Sequence, residues 1–228
     1  DITAVVFPTR ISNIGSYAFY NCVNLTEITI PETVTTIGSY AFAGSSIRTV
    51  SGGEGITTLG ESCFSGASGL TEVTFLDQVN VIPDSAFREC SSLTEIVIPE
   101  GVATIEEHAF YGCDYLGSVT IHESVTEIGT NAFTNCGKLT AVEVPGTLKE
   151  LDDDVFDADV TITYTATSSL KLLEVKQVTK NSVSLEWNEV EGADGYYLYR
   201  KQGSAGTYSL IKTVTGTTTS NYSLTSGI

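Results

Sequence analysis

The five cysteines are the residues with the clearest potential for chemistry. Cys22, Cys90, Cys113 and Cys136 each stand three residues after a phenylalanine, whereas Cys63 directly precedes one. If the repeats stack about 4.8 Å apart, cysteines at one repeat position form a column. Neighbours in it could reach the Cα separation of a disulfide, about 4.4–6.8 Å, but their side chains point the same way. We therefore predict a ladder of small buried thiols, with disulfides or a metal site as alternatives.

Other candidate ligands and catalysts are few. His108 falls in a variable turn, His122 takes a place that other repeats give to proline, and both are expected at the surface. The acidic run Asp152–Asp154, with Asp157 and Asp159, supplies oxygen ligands for calcium but lacks the glycine of a typical calcium loop. Its alternative role is a solvated polar cap on the last repeat. We predict no metal and no cofactor.

Glu72 and Glu95 are the best-placed pair of carboxylates for acid–base chemistry. They occupy the same place in successive repeats and could satisfy the separation of about 5–10 Å that glycoside hydrolysis requires. Such a pair also needs a pocket that raises one pKa, and we expect a solvent-exposed sheet to offer none. The sequence therefore predicts that the chain is not an enzyme.

A fixed spacing of phenylalanines defines the elements that position these residues. Seven recur at intervals of 22 or 23 residues: Phe19, Phe42, Phe64, Phe87, Phe110, Phe133 and Phe156. A constant period in this range is the signature of a solenoid. Stacked coils share one core because a single coil cannot bury its apolar face. We predict about seven coils of 22–23 residues, with the seven rings in one line.

Within each repeat, apolar residues recur at the first, fourth and sixth places, beginning with Ile2, Val5 and Phe7. The alternation predicts a short strand in every coil with two residues facing the core. Aliphatic residues nine and twelve places after the first predict a second short strand, as in Val34–Ile37. Glycines interrupt one repeat, where we predict a bulge or loop at Ser51–Gly55.

The third and fifth places of each strand face solvent and are rich in glutamate and threonine. We select the following residues as a ligand-binding face: Glu27, Thr29, Glu72, Thr74, Glu95, Thr120, His122 and Glu143. A flat or shallowly concave face of this kind favours a protein or glycan partner over a small substrate.

The chain is acidic, with 11 Lys and Arg against 28 Asp and Glu and a net charge of −17. Residues 1–168 hold 23 of the acidic and 5 of the basic residues. This charge disfavours nucleic acid and anionic membrane surfaces as partners. It serves solubility or attracts a basic partner. No apolar run approaches the ~18 residues of a membrane span, so we predict no membrane insertion.

The pattern L-T-x-I-x-I-P-x-x-V-x-x-I-x-x-x-A-F-x-x-C resembles the BspA-like family of bacterial leucine-rich repeats, and residues 2 to about 164 follow it. The resemblance implies an exported protein, at the cell surface or extracellular. Many such proteins are adhesins for host or bacterial proteins, and extracellular-matrix proteins are the partners it suggests. It supplies no catalytic residue. We assign residues 1–167 to the solenoid.

Residues 168–228 follow another pattern. The run from Ser182 to Lys201 resembles the B strand, core tryptophan and C strand of a fibronectin type III domain, and Leu210–Val214 and Asn221–Leu224 would be its next strands. Immunoglobulin-like sandwiches need about 100 residues. We therefore expect a partial β-sandwich and a chain that is a segment of a longer protein at both ends. An exposed edge strand could give a strand-swapped dimer.

The predicted fold class is thus mainly β, a leucine-rich-repeat solenoid followed by a partial immunoglobulin-like sandwich. The first functional hypothesis is a non-catalytic bacterial adhesin, secreted or at the cell surface. The alternative is a non-catalytic accessory module of a larger exported glycan-degrading enzyme. An intracellular scaffold would suit unpaired cysteines but fits the type III resemblance poorly.

Overall fold

The computed structural model describes residues 2–146, 148 and 151–165, together with the backbone of five strands between residues 172 and 225. The chain divides into two compact units, Asp1–Thr165 and Ala166–Ile228. The described residues form strands and turns, and none of them lies in a helix.

The first unit is a β-solenoid of about seven coils, so the predicted solenoid is confirmed. Most coils carry one longer outer strand and one two-residue return strand. The outer strands are β2 (Glu27–Ile30), β4 (Thr49–Gly52), β7 (Glu95–Ile98), β9 (Ser118–Ile121), β11 (Ala141–Pro145) and β12 (Thr161–Thr165). The return strands are β1 (Asn13–Ile14), β3 (Thr36–Ile37), β5 (Thr58–Leu59), β6 (Val81–Ile82), β8 (Thr104–Ile105) and β10 (Glu127–Ile128).

Strands of successive coils pair in parallel with equivalent repeat places side by side. Ile96 of β7 pairs with Val119 of β9, and Thr36 of β3 pairs with Thr58 of β5. Because side chains alternate between the two faces of a strand, this register stacks apolar residues on apolar residues in the core. Glutamate and threonine places stack on the solvent side in the same way.

The phenylalanine rings confirm the predicted line through the core. Neighbouring rings have centroids 5.1–5.6 Å apart and interplanar angles of 6–14°. The five rings from Phe42 to Phe133 are fully buried, whereas Phe19 is half-buried in the first coil. Each of the five rings from Phe42 to Phe133 therefore packs between the rings of the coils before and after it.

The backbone around each ring forms what we call the Phe turn, the five residues from two before to two after the phenylalanine. In the first six coils, both end residues of this turn have positive φ, as Tyr17 and Asn21 do around Phe19. N–H groups at alternate positions donate to carbonyls of the next coil, for example from Phe19 to Ala41 at 2.7 Å. The inter-coil N–H groups of the Phe turns therefore all point toward the following coil.

Two coils depart from the predicted pattern. The first and fourth coils lack an outer strand where Val5–Phe7 and Val73–Phe75 were expected to form one. In the first coil the predicted core residues are only partly covered, and Ile2 is 42% exposed. The prediction of a strand in every coil was wrong for these two.

The glycine-rich segment explains the fourth coil. Strand β4 continues through Gly52, and Gly52 and Gly53 then turn with φ values of 76° and 87°. A methyl group at Gly53 would lie 3.2 Å from Cβ of Phe75, which is buried in this part of the core. The predicted irregularity thus begins at Gly52 in the third coil. Its consequence lies in the fourth coil, which has no outer strand.

The second unit contains β13 (Leu172–Val178), β14 (Ser182–Trp187), β15 (Gly195–Lys201), β16 (Tyr208–Thr215) and β17 (Asn221–Thr225). Strand β14 pairs antiparallel with both β13 and β17, and β15 pairs antiparallel with β16. The side chains of this unit, including that of the predicted core tryptophan, lie outside the described residues.

Candidate ligand-binding face

The solvent side of the outer strands, which we call the strand face, carries most of the predicted site residues. Its exposed side chains include those of Glu27 and Thr29 in β2, Glu95 in β7, Thr120 in β9 and Glu143 in β11. They are exposed because the alternate residues of each strand face the core.

Hydrogen bonding divides the strand face into two parts. Strands β2 and β4 form one sheet, and β7, β9, β11 and β12 form another. Glu72 and Thr74 lie between these sheets, exposed but outside any strand. Within the larger sheet, Thr120 pairs directly with Glu143. The structure therefore brings together only part of the predicted set.

A hollow of about 240 Å³ lies where the outer strand of the fourth coil is missing. Its lining includes three carboxylates and three apolar side chains: Glu72, Asp77, Glu95, Leu76, Val97 and Pro99. Val97 is 58% exposed. Glu72 and Glu95, for which we expected only a solvent-exposed sheet, thus line one shared hollow where the outer strand of the fourth coil is missing.

A second hollow, of about 370 Å³, lies on the larger sheet. It includes Thr120, Glu143, Thr163 and Thr165, and Glu143 is the one charged residue of its lining. Hydroxyl groups are the main polar groups of this hollow, whereas carboxylates are the main polar groups of the first. The strand face thus offers two chemically different depressions.

His122 lies beside this face rather than on it. It directly follows the end of β9 at Ile121, as its place in the repeat predicts, but its side chain is half-buried. Its Nδ1 accepts a hydrogen bond from the backbone N–H of Ser124 at 3.1 Å. The ring therefore closes the turn where other coils have proline, which is a structural role.

A third hollow, of about 590 Å³, lies beside the return strands β8 and β10 and was not predicted. Five carboxylates contribute to its lining: Asp84, Glu106, Glu107, Glu127 and Asp152. These carboxylates lie on the return side of the coils, whereas the predicted site residues lie on or beside the outer strands. The change from glycine at residues 38 and 60 to Glu106 at the equivalent place is the sequence signal that could have revealed this hollow.

Cys90, Cys113 and Cys136 form the predicted ladder of buried thiols. All five cysteines of the chain are unpaired. The Sγ atoms of Cys90, Cys113 and Cys136 lie 3.2–3.4 Å from carbonyl oxygens of Phe64, Phe87 and Phe110, to which they donate.

Burial determines the chemistry of these thiols. It raises the pKa of Cys63 and of Cys136 to about 12, and it also raises the pKa of Cys90 and Cys113. Neutral buried thiols are poor nucleophiles and poor metal ligands. This arrangement favours a packing role for the column.

The acidic end of the solenoid uses one aspartate as a cap. The two carboxylate oxygens of Asp157 accept hydrogen bonds from the backbone N–H groups of Asn135 at 3.0 Å and Cys136 at 3.2 Å. Successive N–H groups in such a turn form a nest that favours an anion. The described residues contain no group of three or more His, Cys, Asp or Glu side chains arranged to hold a metal ion.

Comparison with known proteins identifies the repeat. Residues 1–116 and 80–177 match the sequence profile of the BspA type leucine-rich repeat region, in six copies. No curated protein sequence matches the chain significantly. No helix among the described residues is long and apolar enough to cross a bilayer.

Crystal structures of bacterial leucine-rich repeat proteins share the fold. A leucine-rich cell surface protein from Faecalibacterium prausnitzii is 26% identical, with a TM-score of 0.52 over 93% of this chain and 53% of its own. The T. pallidum leucine-rich repeat protein is 23% identical, with a TM-score of 0.50 over 60% of this chain and 78% of its own. A Bacteroides ovatus leucine-rich repeat protein is 25% identical, with a TM-score of 0.48 over 72% of this chain and 54% of its own. The chain thus spans about half the length of the first and third of these proteins.

Proposed function

The chain belongs to the BspA type leucine-rich repeat family, and on that premise we propose that it is a non-catalytic adhesin at the bacterial cell surface or secreted from it. Proteins with this type of repeat are in general binding modules rather than enzymes. The similar F. prausnitzii protein is described as a cell surface protein. Both points favour a binding role outside the cytoplasm.

We further propose that the strand face binds a protein or glycan partner. The observation that carries this proposal is the exposed set of glutamates and threonines with two adjacent hollows on one side of the coil stack. The stacked core fixes the backbone that carries these side chains, so binding needs no ordering of the backbone of the face. Extracellular-matrix proteins are the first candidates because the family resemblance suggests them.

Residues 168–228 are proposed to form a fibronectin type III spacer. Its support is the sequence resemblance together with the five antiparallel strands, which include the segments expected at Leu210–Val214 and Asn221–Leu224. The strand-swapped dimer remains a prediction, and size-exclusion chromatography at low concentration would contradict it by showing only monomer.

A binding array of extracellular-matrix proteins and glycans tests the adhesin role. We expect at least one matrix protein or glycan to bind at micromolar or lower concentration. The double variant E72Q/E95Q then tests the face, because it removes two carboxylates that line one hollow. We expect its affinity for the same partner to fall about tenfold or more.

The matched control is E32Q/E100Q, which removes the same charge from two exposed turn positions. If both double variants weaken binding equally, the effect is long-range electrostatics rather than contact at the face. Unchanged affinity in E72Q/E95Q would also contradict binding at this hollow. An array without any bound matrix protein or glycan would argue against the adhesin role itself.

A further inference from the structure

The outer sheets of the solenoid have two free edges on either side of the fourth coil. Strand β4 pairs with β2 alone, and β7, the first strand of the larger sheet, pairs with β9 alone. A free strand edge carries N–H and C=O groups that can pair with another extended chain. The middle of the stack therefore contains strand edges that a regular solenoid has only at its two ends.

The chain between these edges leaves its own backbone groups unpaired. Residues 72–75 take the place of the missing outer strand and lie in no strand. Within the described part of the chain, none of their backbone N–H or C=O groups forms a hydrogen bond. In the preceding coil, all four residues of β4 pair with β2. The unpaired groups of residues 72–75 are therefore free to bind water or the backbone of a partner.

The hollow of about 240 Å³ between this segment and β7 combines backbone, apolar and charged groups. Residues 72–74 line one side of it, and residues of β7 line the other. Val97, which is 58% exposed, offers an apolar surface. Its carboxylates are those of Glu72, Asp77 and Glu95. Strand addition uses the same combination, since backbone hydrogen bonds give affinity and contacts of alternate side chains give specificity.

The charge of the hollow determines which kind of segment fits it. Its described lining contains three carboxylates and no basic side chain, and no ion pair among the described residues involves these carboxylates. Opposite charges side by side on neighbouring strands are favourable, whereas like charges are unfavourable. A second copy of this chain is disfavoured, because its outer strands carry Glu27, Glu95 and Glu143 at the equivalent place.

We propose that this hollow binds an extended segment of a partner protein that alternates basic and apolar residues and pairs its backbone with the free edge of β7. Side chains alternate between the two faces of a strand. The basic side chains lie on the solvent side, beside Glu72 and Glu95, and the apolar side chains point inward toward Val73 and Leu76, which also line the hollow. This inference rests on the proposed binding role of the strand face and specifies the chemistry of the partner.

A short, fluorescently labelled peptide of alternating arginine and valine is the probe, and fluorescence anisotropy measures its affinity for the full chain. A second peptide carries neutral citrulline in place of arginine. Two further peptides carry N-methyl groups on every valine or on every arginine, so that each lacks the N–H groups of one strand edge. We expect the citrulline peptide, and at least one of the methylated peptides, to bind at least tenfold more weakly than the probe.

A probe that does not bind the wild type would overturn the proposal. Equal affinity of the probe and the citrulline peptide would show that charge does not select the segment, which would also overturn it. If both methylated peptides bind as tightly as the probe, the segment does not add as a strand and the proposal is wrong.

Amide hydrogen exchange measures backbone pairing directly. We expect the bound probe to slow the exchange of residues 72–75 and of β7 at least tenfold, because their unpaired groups become hydrogen-bonded or covered. Exchange in β2, which lies outside the hollow, should not change. Unchanged exchange in both residues 72–75 and β7 while the probe is bound would contradict strand addition.

The variant Val97→Lys places a cation in the hollow, where it competes with the basic side chains of the probe. Other coils hold Thr29, Ser51 or Glu143 at this exposed place, so we expect the variant to fold and to bind the probe at least tenfold more weakly. The matched control is Val23→Lys, which makes the same substitution at a turn residue that is 62% exposed and outside the hollow. Unchanged affinity in Val97→Lys, or equal weakening in both variants, would overturn the proposal.

Competition separates a failure here from a failure of the proposed function. If the probe does not displace a matrix partner whose affinity falls in E72Q/E95Q, the strand face binds but the occupant of the hollow is not a segment of this kind. If the probe binds the wild type and not Val97→Lys while the array yields no partner, the adhesin role fails and this inference stands. Binding of an oligosaccharide but of no peptide would make the occupant a glycan and overturn the inference.

Discussion

The two sides of the solenoid differ where the third coil meets the fourth. On the strand side, both sheets are interrupted, between β4 and β7 and between β5 and β6. On the Phe-turn side, the hydrogen bonds continue from Phe64 to Ala86 at 2.8 Å, and the Phe64 and Phe87 rings remain stacked at 5.6 Å. The Phe turns therefore maintain the stack where the strands do not.

The two sides differ in the backbone conformation that their hydrogen bonds between coils require. A strand ladder requires extended backbone at equivalent places in both coils, and the turn at Gly52 and Gly53 ends that register. The Phe turn requires only the alternation of positive and negative φ, and Ser62 and Gly66 provide it in the third coil as others do elsewhere. A glycine-rich segment thus disrupts the strand side and leaves the Phe-turn side intact.

The substitution Phe75→Ala should have the largest effect on this junction. Phe75 is buried and packs against Phe64 at 5.5 Å and Phe87 at 6.4 Å, next to two glycines that supply no side chain. Removal of such a ring leaves a cavity and costs about 3–5 kcal/mol. We expect urea denaturation to show this loss and a first transition that involves only part of the solenoid.

Phe19→Ala is the control for the loss of a ring at the end of the stack. Phe19 is half-buried, so its removal should cost less than the removal of Phe75. An equal loss in the two variants, with a single transition in both, would show that the junction is no weaker than the rest of the solenoid.

Asp157→Ala tests the hydrogen bonds that the Asp157 carboxylate accepts from the Phe turn of the sixth coil. The carboxylate holds the N–H groups of Asn135 and Cys136, which have no carbonyl of a following coil as partner among the described residues. Loss of a capping side chain costs about 0.5–2 kcal/mol. We expect a loss of about 1–2 kcal/mol in the free energy of unfolding, measured by urea denaturation.

The control for the aspartate is Asp159→Ala, which removes the same charge from an exposed place in the same segment. Its stability should remain within about 0.5 kcal/mol of the wild type, as for most surface substitutions. If the two aspartate variants lose the same stability, net charge rather than the cap is responsible.

The sequence predicted the repeated parts of this molecule and an irregularity at Ser51–Gly55, but not the loss of the outer strand in the next coil. The period of the phenylalanines indicated the coils, the line of rings and the column of Cys90, Cys113 and Cys136, because a stacked repeat places equal positions side by side. The repeat pattern gave Phe75 an inward-facing place, but it could not predict that the outer strand around Phe75 would be lost beside Gly53. That outcome depends on the volume left by a missing side chain in the neighbouring coil.

The strand face was predictable only in part for the same reason. Exposure of Glu27, Thr120 and Glu143 follows from alternation along a strand. The hollow between Glu72 and Glu95 follows from the displaced strand, which the repeat pattern does not encode. The hydrogen bond from the Ser124 N–H to His122 likewise occurs only in the coil where histidine takes the place of proline.

Cys113→Ala should have the smallest effect, and its pH dependence identifies the cause. Ala67 occupies the same place in the third coil, so alanine fits there. The variant loses the hydrogen bond from the Cys113 thiol to the carbonyl of Phe87. Such S–H···O contacts contribute about 0.5–1 kcal/mol, and we expect a loss of that size in urea denaturation at pH 7.

This loss should shrink as the pH rises above the ordinary thiol pKa of 9.0. Burial raises the pKa of Cys113 in the folded protein, so above that pH the unfolded chain releases a proton that the folded chain keeps. The wild type then loses stability with rising pH, whereas the alanine variant lacks this contribution. Measurement at pH 7 and pH 10 checks the sign, and a difference between the two proteins that is the same at both pH values would show that this thiol is not buried in neutral form.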